Sequence, residues 1–192
     1  GTNIITGNVT INGTSGHRIY LGDGSLNNGT LIIQPSASFT VAGSFDDAMV
    51  IGRDSGSGTI IQNGGTFTFT PVNQTLLLVG ATSQAGTRAE YDLNGGTLDL
   101  GGYTLGLGLG DNGITMTGIV NQVSGTIANV FKLDLGVIRP FGYGVYNLSG
   151  GSITIDFGGI TSDNGLYAVN LGGGTVAASS SWSSSLNMTL TG

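Results

Sequence analysis

The chain has 192 residues, of which 37 are glycine and only 8% are charged, with a formal net charge of −6. Its 5 Lys and Arg residues are scattered, which argues against a nucleic-acid or anionic-membrane partner because phosphate binding needs clustered cations. The chain has 0 cysteines, which excludes disulfides, thiolate metal sites and thiol catalysis.

Hydropathy and composition further limit the class of protein to which the chain can belong. Apolar residues make up 39% of the chain, which is too many for a disordered linker. No uninterrupted apolar stretch approaches the roughly 18 residues of a membrane-spanning helix, so no membrane insertion is predicted. The chain opens with Gly1 instead of Met, which is typical of a processed or excised fragment.

The N-terminal residues 1–20 are predicted to form a cap rung, because residues 1–9 are rich in Thr and Asn and could add a covering strand. They include His17, the only histidine of the chain. Its sequence neighbours offer no partner that would orient a catalytic base. We therefore expect His17 to be a polar residue near the first rung, and the alternative is a Ser-His-Asp site assembled in space.

Two markers recur along the chain after this segment. One is a four-residue motif: the first residue is Gly, Asn or Ser, the second is Gly, the third is Thr or Ser, and the fourth is apolar. It starts at Asn28, Gly64, Gly95, Ser124, Gly150 and Gly173. The other is an apolar residue followed by Gly at positions 22, 52, 80, 108 and 136, with spacings of 30, 28, 28 and 28 residues. A period of this size indicates stacked supersecondary units that bury their apolar faces against one another.

The clearest repeat, residues 80–107, predicts three short strands separated by Gly-rich corners. Period-2 alternation places six side chains in a stacked interior and turns Asp92 and Asp99 outward; the six are Tyr91, Leu93, Leu98, Leu100, Leu105 and Leu107. The paired glycines fit corners that need a positive φ. We therefore predict an all-β chain folded over residues 1–192 as a single parallel β-helix with three strands per rung and about six or seven rungs.

Aspartates in the turns are the candidates for chemistry. Those at Asp23, Asp54, Asp111 and Asp163 could bind calcium, and a pair including Asp111 or Asp134 could act as the acid and base of a glycosidase. The simpler interpretation is that Asp-Gly and Asn-Gly are preferred turn residues. We predict no metal, no cofactor and no catalytic residue, and therefore no enzyme.

The turn at residues 137–144 differs from its polar equivalents, because it contains Arg139, Phe141 and Tyr143. An exposed Arg with two aromatic rings is the composition of a contact site for sugar or protein. The alternative is that an aromatic ring folds back over a corner and covers apolar surface. We predict that these three residues form the binding site.

Threonine arrays offer another interpretation. The run Thr66-Phe-Thr-Phe-Thr70 is similar to the Thr-lined faces of ice-binding solenoids. We expect its register not to repeat in neighbouring rungs, because Asp99 and Ala128 interrupt it.

The C-terminal residues 176–192 are Ser-rich around Trp182, lack a helical apolar pattern and are predicted to form an irregular last rung. Neither end carries an evident cap, so we expect the natural chain to continue past Gly192. An uncapped rung exposes unpaired backbone groups, which predicts end-to-end self-association.

Three segments, residues 93–100, 146–155 and 171–192, resemble the β-strand repeats of bacterial autotransporter passengers and related giant surface proteins. The resemblance covers about residues 22–192. It implies a right-handed parallel β-helix that is secreted or displayed at the bacterial cell surface, usually as a stalk or adhesive rod. The leading functional expectation is a non-catalytic rod segment, with a polysaccharide or a surface protein as partner. The alternatives are a carbohydrate-binding module, a glycan-active enzyme or a filament subunit.

Overall fold

A computed structural model describes residues 1–14, 18–24, 27–43, 49–71, 76–81, 88–110, 115–137 and 141–191. These residues form strands, turns and bends without any helix, and so without a helix long and apolar enough to span a membrane. The strands are β1 (Thr2–Ile5), β2 (Asn8–Gly13), β3 (Ile19–Asp23), β4 (Asn28–Ile33), β5 (Ser38–Gly43), β6 (Met49–Arg53), β7 (Ser57–Pro71), β8 (Leu76–Ala81), β9 (Arg88–Leu109), β10 (Met116–Gln122), β11 (Thr126–Leu135), β12 (Gly142–Leu148), β13 (Ser152–Ser162), β14 (Leu166–Leu171), β15 (Thr175–Ala178) and β16 (Thr189–Leu190).

The strands pair in parallel and wind into a solenoid with three faces. The first face consists of β1, β4, the start of β7, the start of β9, β10, β12, β14 and β16. The second face consists of β2, β5, the end of β7, the middle of β9, the starts of β11 and β13, and β15. The third face consists of β3, β6, β8 and the ends of β9, β11 and β13.

The predicted all-β parallel solenoid is thus confirmed. From β3 to the end of β13 the chain makes about five turns, with further strands before and after them. The predicted count of six or seven rungs therefore differs slightly from the structure. The right hand of the winding stays a prediction.

The main apolar core of the described residues runs inside the stack, from Leu31 to Val169. In one of its columns Ile60, Tyr91, Val120, Tyr146 and Val169 lie in register on successive turns, each at most 1% exposed. The six side chains predicted to line the interior are all fully buried. Each turn therefore completes the burial of its neighbours.

Glycine closes the corners, as the markers predicted. The five apolar-Gly markers lie where the third face meets the first, and their φ angles range from 62° at Gly136 to 88° at Gly80. At the corner between the first and second faces, Gly96 has a φ of 79°, and a Cβ there would lie 2.2 Å from the carbonyl oxygen of Gly65. Both the dihedral angle and the close backbone approach exclude a larger residue at this position.

Two glutamines are fully buried in this core, and each is paired with a tyrosine of the following turn. Tyr146 donates its hydroxyl hydrogen to Oε1 of Gln122 at 2.6 Å, and Tyr91 donates likewise to Gln62. Gln122 in turn donates from Nε2 to the carbonyl oxygens of Gly125 and Ser152, at 3.2 and 2.8 Å. The side-chain amide of Gln122 thus links the corner that follows it to the next turn by hydrogen bonds.

We predict that Tyr146→Phe lowers the free energy of unfolding by about 1–3 kcal/mol, because it leaves the buried Oε1 of Gln122 without a donor. Denaturant unfolding followed by circular dichroism measures this change. Val145→Ala, at the half-buried neighbouring position on the outer surface, is the control for a general effect of substitution in β12. A Tyr146→Phe variant as stable as the unaltered chain would contradict the role given to this pair.

Candidate functional site

The predicted binding turn lies where the chain enters the first face. Arg139 lies outside the described residues. Phe141 and Tyr143 flank the buried Gly142, so both side chains point to the outer surface. Phe141 is 41% exposed, and Tyr143 is half-buried.

An amide ladder occupies the outer surface of the same face. We use this name for Asp92, Asn121, Asn147 and Asn170, which lie in register on four successive turns. Asn121 donates from Nδ2 to Oδ1 of Asp92 at 2.8 Å. Asn147 donates to Asn121 at 2.8 Å, and Asn170 donates to Asn147 at 2.7 Å. All the amides therefore point in one direction, toward a terminal carboxylate.

The ladder determines which N–H donors of its amides are already engaged. An amide carries two N–H donors, and Asn147 and Asn170 each use one of them within the ladder. Burial raises the pKa of Asp92, and the hydrogen bond from Asn121 opposes that shift. The result is a row of oriented amides with a spacing of about 4.8 Å along the solenoid axis.

The outer surface of the second face carries a hydroxyl column. Its members lie in register on six successive turns: Ser38, Thr66, Thr97, Thr126, Ser152 and Thr175. The expectation that the Thr array does not repeat is wrong for this column. It is correct for the neighbouring column, in which Thr68 is followed by Asp99 and Ala128.

An ionic cluster lies on the third face. Nζ of Lys132 is 2.7 Å from Oδ2 of Asp134 and 3.8 Å from Oδ2 of Asp163, and Thr161 donates to Oδ1 of Asp134 at 3.1 Å. The side chain of Asp134 is only 3% exposed. The structure thus brings two candidate carboxylates together around a lysine, whereas Asp111 lies outside the described residues, as does His17.

Burial raises the pKa of Asp134, and the hydrogen bond and charge of Lys132 only partly offset that shift. A raised pKa in the folded state means that the folded chain holds this proton more tightly than the unfolded chain. The resulting stabilisation is complete below the unfolded-state pKa of about 3.9, and it is lost as the pH rises through the folded-state value.

We therefore predict that lowering the pH from 7 to 4 stabilises the unaltered chain relative to Asp134→Asn. The measurement is the free energy of unfolding of both proteins in denaturant at the two pH values. A difference between the proteins that stays constant with pH, or that moves in favour of the variant on acidification, would contradict the assignment.

An exposed aromatic pair at the corner between the second and third faces escaped the sequence analysis. The rings of Phe131 and Phe157 meet edge to face, with centroids 4.8 Å apart and planes at 78°. Phe157 is 65% exposed, more than any other phenylalanine among the described residues. The available signal was a break in the strand alternation next to each ring: Val130 and Phe131 are adjacent apolar residues, and Gly158-Gly159 directly follows Phe157.

Within the described ranges, no group of three or more His, Cys, Asp or Glu side chains is placed to hold a metal ion. The fold defines a parallel β-solenoid, a class of repeat protein whose side-chain columns present regular outer surfaces. Comparison with protein-family models, with curated proteins and with solved structures finds no match.

Proposed function

We propose that the chain is a non-catalytic structural and adhesive rod segment of a secreted or cell-surface bacterial protein. The observation that carries the proposal is the continuity of the stack: one core extends from Leu31 to Val169, and parallel ladders join successive turns on all three faces. The likeness of residues 93–100, 146–155 and 171–192 to autotransporter passenger repeats supports the location and the rod function.

A turn inside the stack is held by the turns on both sides of it. A turn such as residues 116–135 shares backbone ladders with the turns on both sides and contributes fully buried side chains, among them Met116, Val120 and Leu133, to the common core. It cannot detach without breaking ladders on three faces and exposing apolar surface on its neighbours. Stacked turns of this kind resist bending and hold a terminal or loop surface at a fixed distance.

Single-molecule force spectroscopy, with the chain pulled from its two ends, tests the rod proposal. A turn of 28 residues releases about 90–100 Å of extended chain, so we expect contour-length steps of that size or of its multiples. Tyr146→Phe should lower the force of the steps without changing their length. Smooth extension at low force, without steps, would contradict a rod that bears load.

A carbohydrate-binding module is a second candidate. It is favoured by one observation: the outer surface of the first face carries Tyr143 and, further along the same pair of strands, the amides of Asn147 and Asn170. An aromatic ring supplies an apolar platform, and fixed amides supply directional hydrogen bonds to hydroxyl groups. Under this proposal Tyr143→Ala abolishes saturable polysaccharide binding, whereas binding that survives in this variant would remove the first face from consideration.

A further inference from the structure

Several Asn-Gly dipeptides occur along the chain, and the fold places them in different surroundings. In such a pair the glycine has no Cβ, so its backbone nitrogen can approach the side-chain amide of the asparagine closely. The pairs among the described residues start at Asn12, Asn28, Asn63, Asn94 and Asn164. Asn112-Gly113 lies outside the described residues. Because the described pairs share one dipeptide sequence, a difference in their reactivity has to come mainly from the structure.

Four of these pairs lie inside strands. Asn12 is in β2, and Asn28, Asn63 and Asn94 are in β4, β7 and β9. Strands β4, β7 and β9 are each paired in parallel with strands on both sides. The side chains are also engaged, since Nδ2 of Asn94 donates to Oδ1 of Asn63 at 3.2 Å. An extended, paired backbone keeps the next amide nitrogen away from the side-chain carbon, so the strand has to open before the two atoms can meet.

Asn164 is in a different position. It lies with Asp163 and Gly165 between β13, which ends at Ser162, and β14, which begins at Leu166. Asn164 is exposed, and its φ of 100° is far from that of a strand. Within the part of the chain that the structure describes, no backbone carbonyl accepts a hydrogen bond from the N–H of Gly165. Rotation about the backbone of Asn164 therefore breaks no strand ladder.

The glycine of this pair is required by packing. A Cβ at Gly165 would lie 2.4 Å from Cα of Gly136, on the preceding turn. Oγ of Ser162 donates to the carbonyl oxygen of Gly165 at 3.1 Å, which holds the residue in this place. The close approach of the two turns therefore selects glycine. As a result, no side chain shields the backbone nitrogen that follows Asn164.

We propose that Asn164 is a site of spontaneous deamidation. The backbone nitrogen of Gly165 loses its proton to base and attacks Cγ of Asn164. The bond from Cγ to Nδ2 breaks, and Nδ2 takes up a proton and leaves as ammonia. Water then opens the cyclic succinimide. Opening at Cγ gives aspartate, and opening at the backbone carbonyl carbon gives isoaspartate, so asparagine and water become a carboxylic acid and ammonia without any oxidant.

The products change the corner that leads into β14. Both place a new carboxylate beside Asp163, whose Oδ2 is 3.8 Å from Nζ of Lys132. Isoaspartate also adds a methylene group to the backbone, since the chain then continues through Cγ. Strand β14 pairs in register with β12 from Leu166 onward. The modification thus acts at the start of a ladder that joins two turns, and it goes beyond the function of the chain as a rod.

Peptide mapping by mass spectrometry tests the proposal with the intact, folded chain. The protein is incubated in a mildly alkaline buffer, sampled over time and digested with pepsin at acidic pH, where further deamidation is slow. Each Asn-Gly peptide is scored for its mass change, and aspartate and isoaspartate are separated by chromatography. We expect deamidation at Asn164 to be at least about tenfold faster than at Asn28, Asn63 and Asn94, because those sites need prior opening of a strand.

The same chain in denaturant is the matched control. Unfolding removes the strand ladders, so all these dipeptides lose their structural differences while their sequences stay the same. We expect the rates at Asn28, Asn63 and Asn94 to rise toward the rate at Asn164. Circular dichroism confirms that the chain stays folded in the buffer and is unfolded in the denaturant.

Two results would overturn the proposal. One is deamidation of Asn28, Asn63 or Asn94 in the folded chain at a rate equal to or above that of Asn164. The other is a preference for Asn164 that is just as large in denaturant, which would assign the reactivity to the local sequence instead of the turn. Neither result depends on whether the chain bears load or binds a polysaccharide.

Discussion

The structure depends on the parallel, in-register stacking of each turn on the one before it. Because the strands repeat without a shift on most of their length, a residue that points inward lies above another inward residue, and an outward residue lies above another outward one. The column of Ile60, Tyr91 and Val120 is the inner consequence of this constraint, and the hydroxyl column is the outer one. Glycine at the corners allows the chain to close each turn and begin the next.

The same constraint explains why the architecture could be predicted from the sequence. Corners need positive φ, so glycine recurs at the spacing of the turns, and strands between them show the alternation that separates Tyr91 and Leu93 from Asp92. The buried Gln62 and Gln122 were not foreseen, since a polar residue at the end of a strand looks like part of the turn. Their burial depends on a tyrosine of the following turn, which is a contact across about 24–29 residues.

The exposed aromatic pair was harder to predict, because it arises where the repeat is broken. Two adjacent apolar residues, Val130 and Phe131, mark the break in the sequence, but the bulge at Asn129 and Phe131 is defined only by the pairing of β11 with both neighbouring turns. The outer surface of the third face also departs from what alternation predicts. Val50 and Leu78 are buried there in an apolar cluster separate from the main core, although alternation alone would expose them. Of the three residues of the predicted binding site, Phe141 and Tyr143 face outward, and Arg139 lies outside the described residues.

The central claim, that successive turns stack in parallel and in register, can be tested by disulfide trapping, because the chain contains 0 native cysteines. Thr126 and Ser152 are register partners on adjacent turns, with their side-chain oxygens 3.3 Å apart. Partners in neighbouring strands lie about 4.8 Å apart, within the range that a disulfide bridges. The account predicts that Thr126→Cys with Ser152→Cys forms an intramolecular disulfide on mild oxidation, whereas Thr126→Cys with Thr154→Cys does not. Equal cross-linking of both pairs, or none in the first pair, would contradict the stacked register.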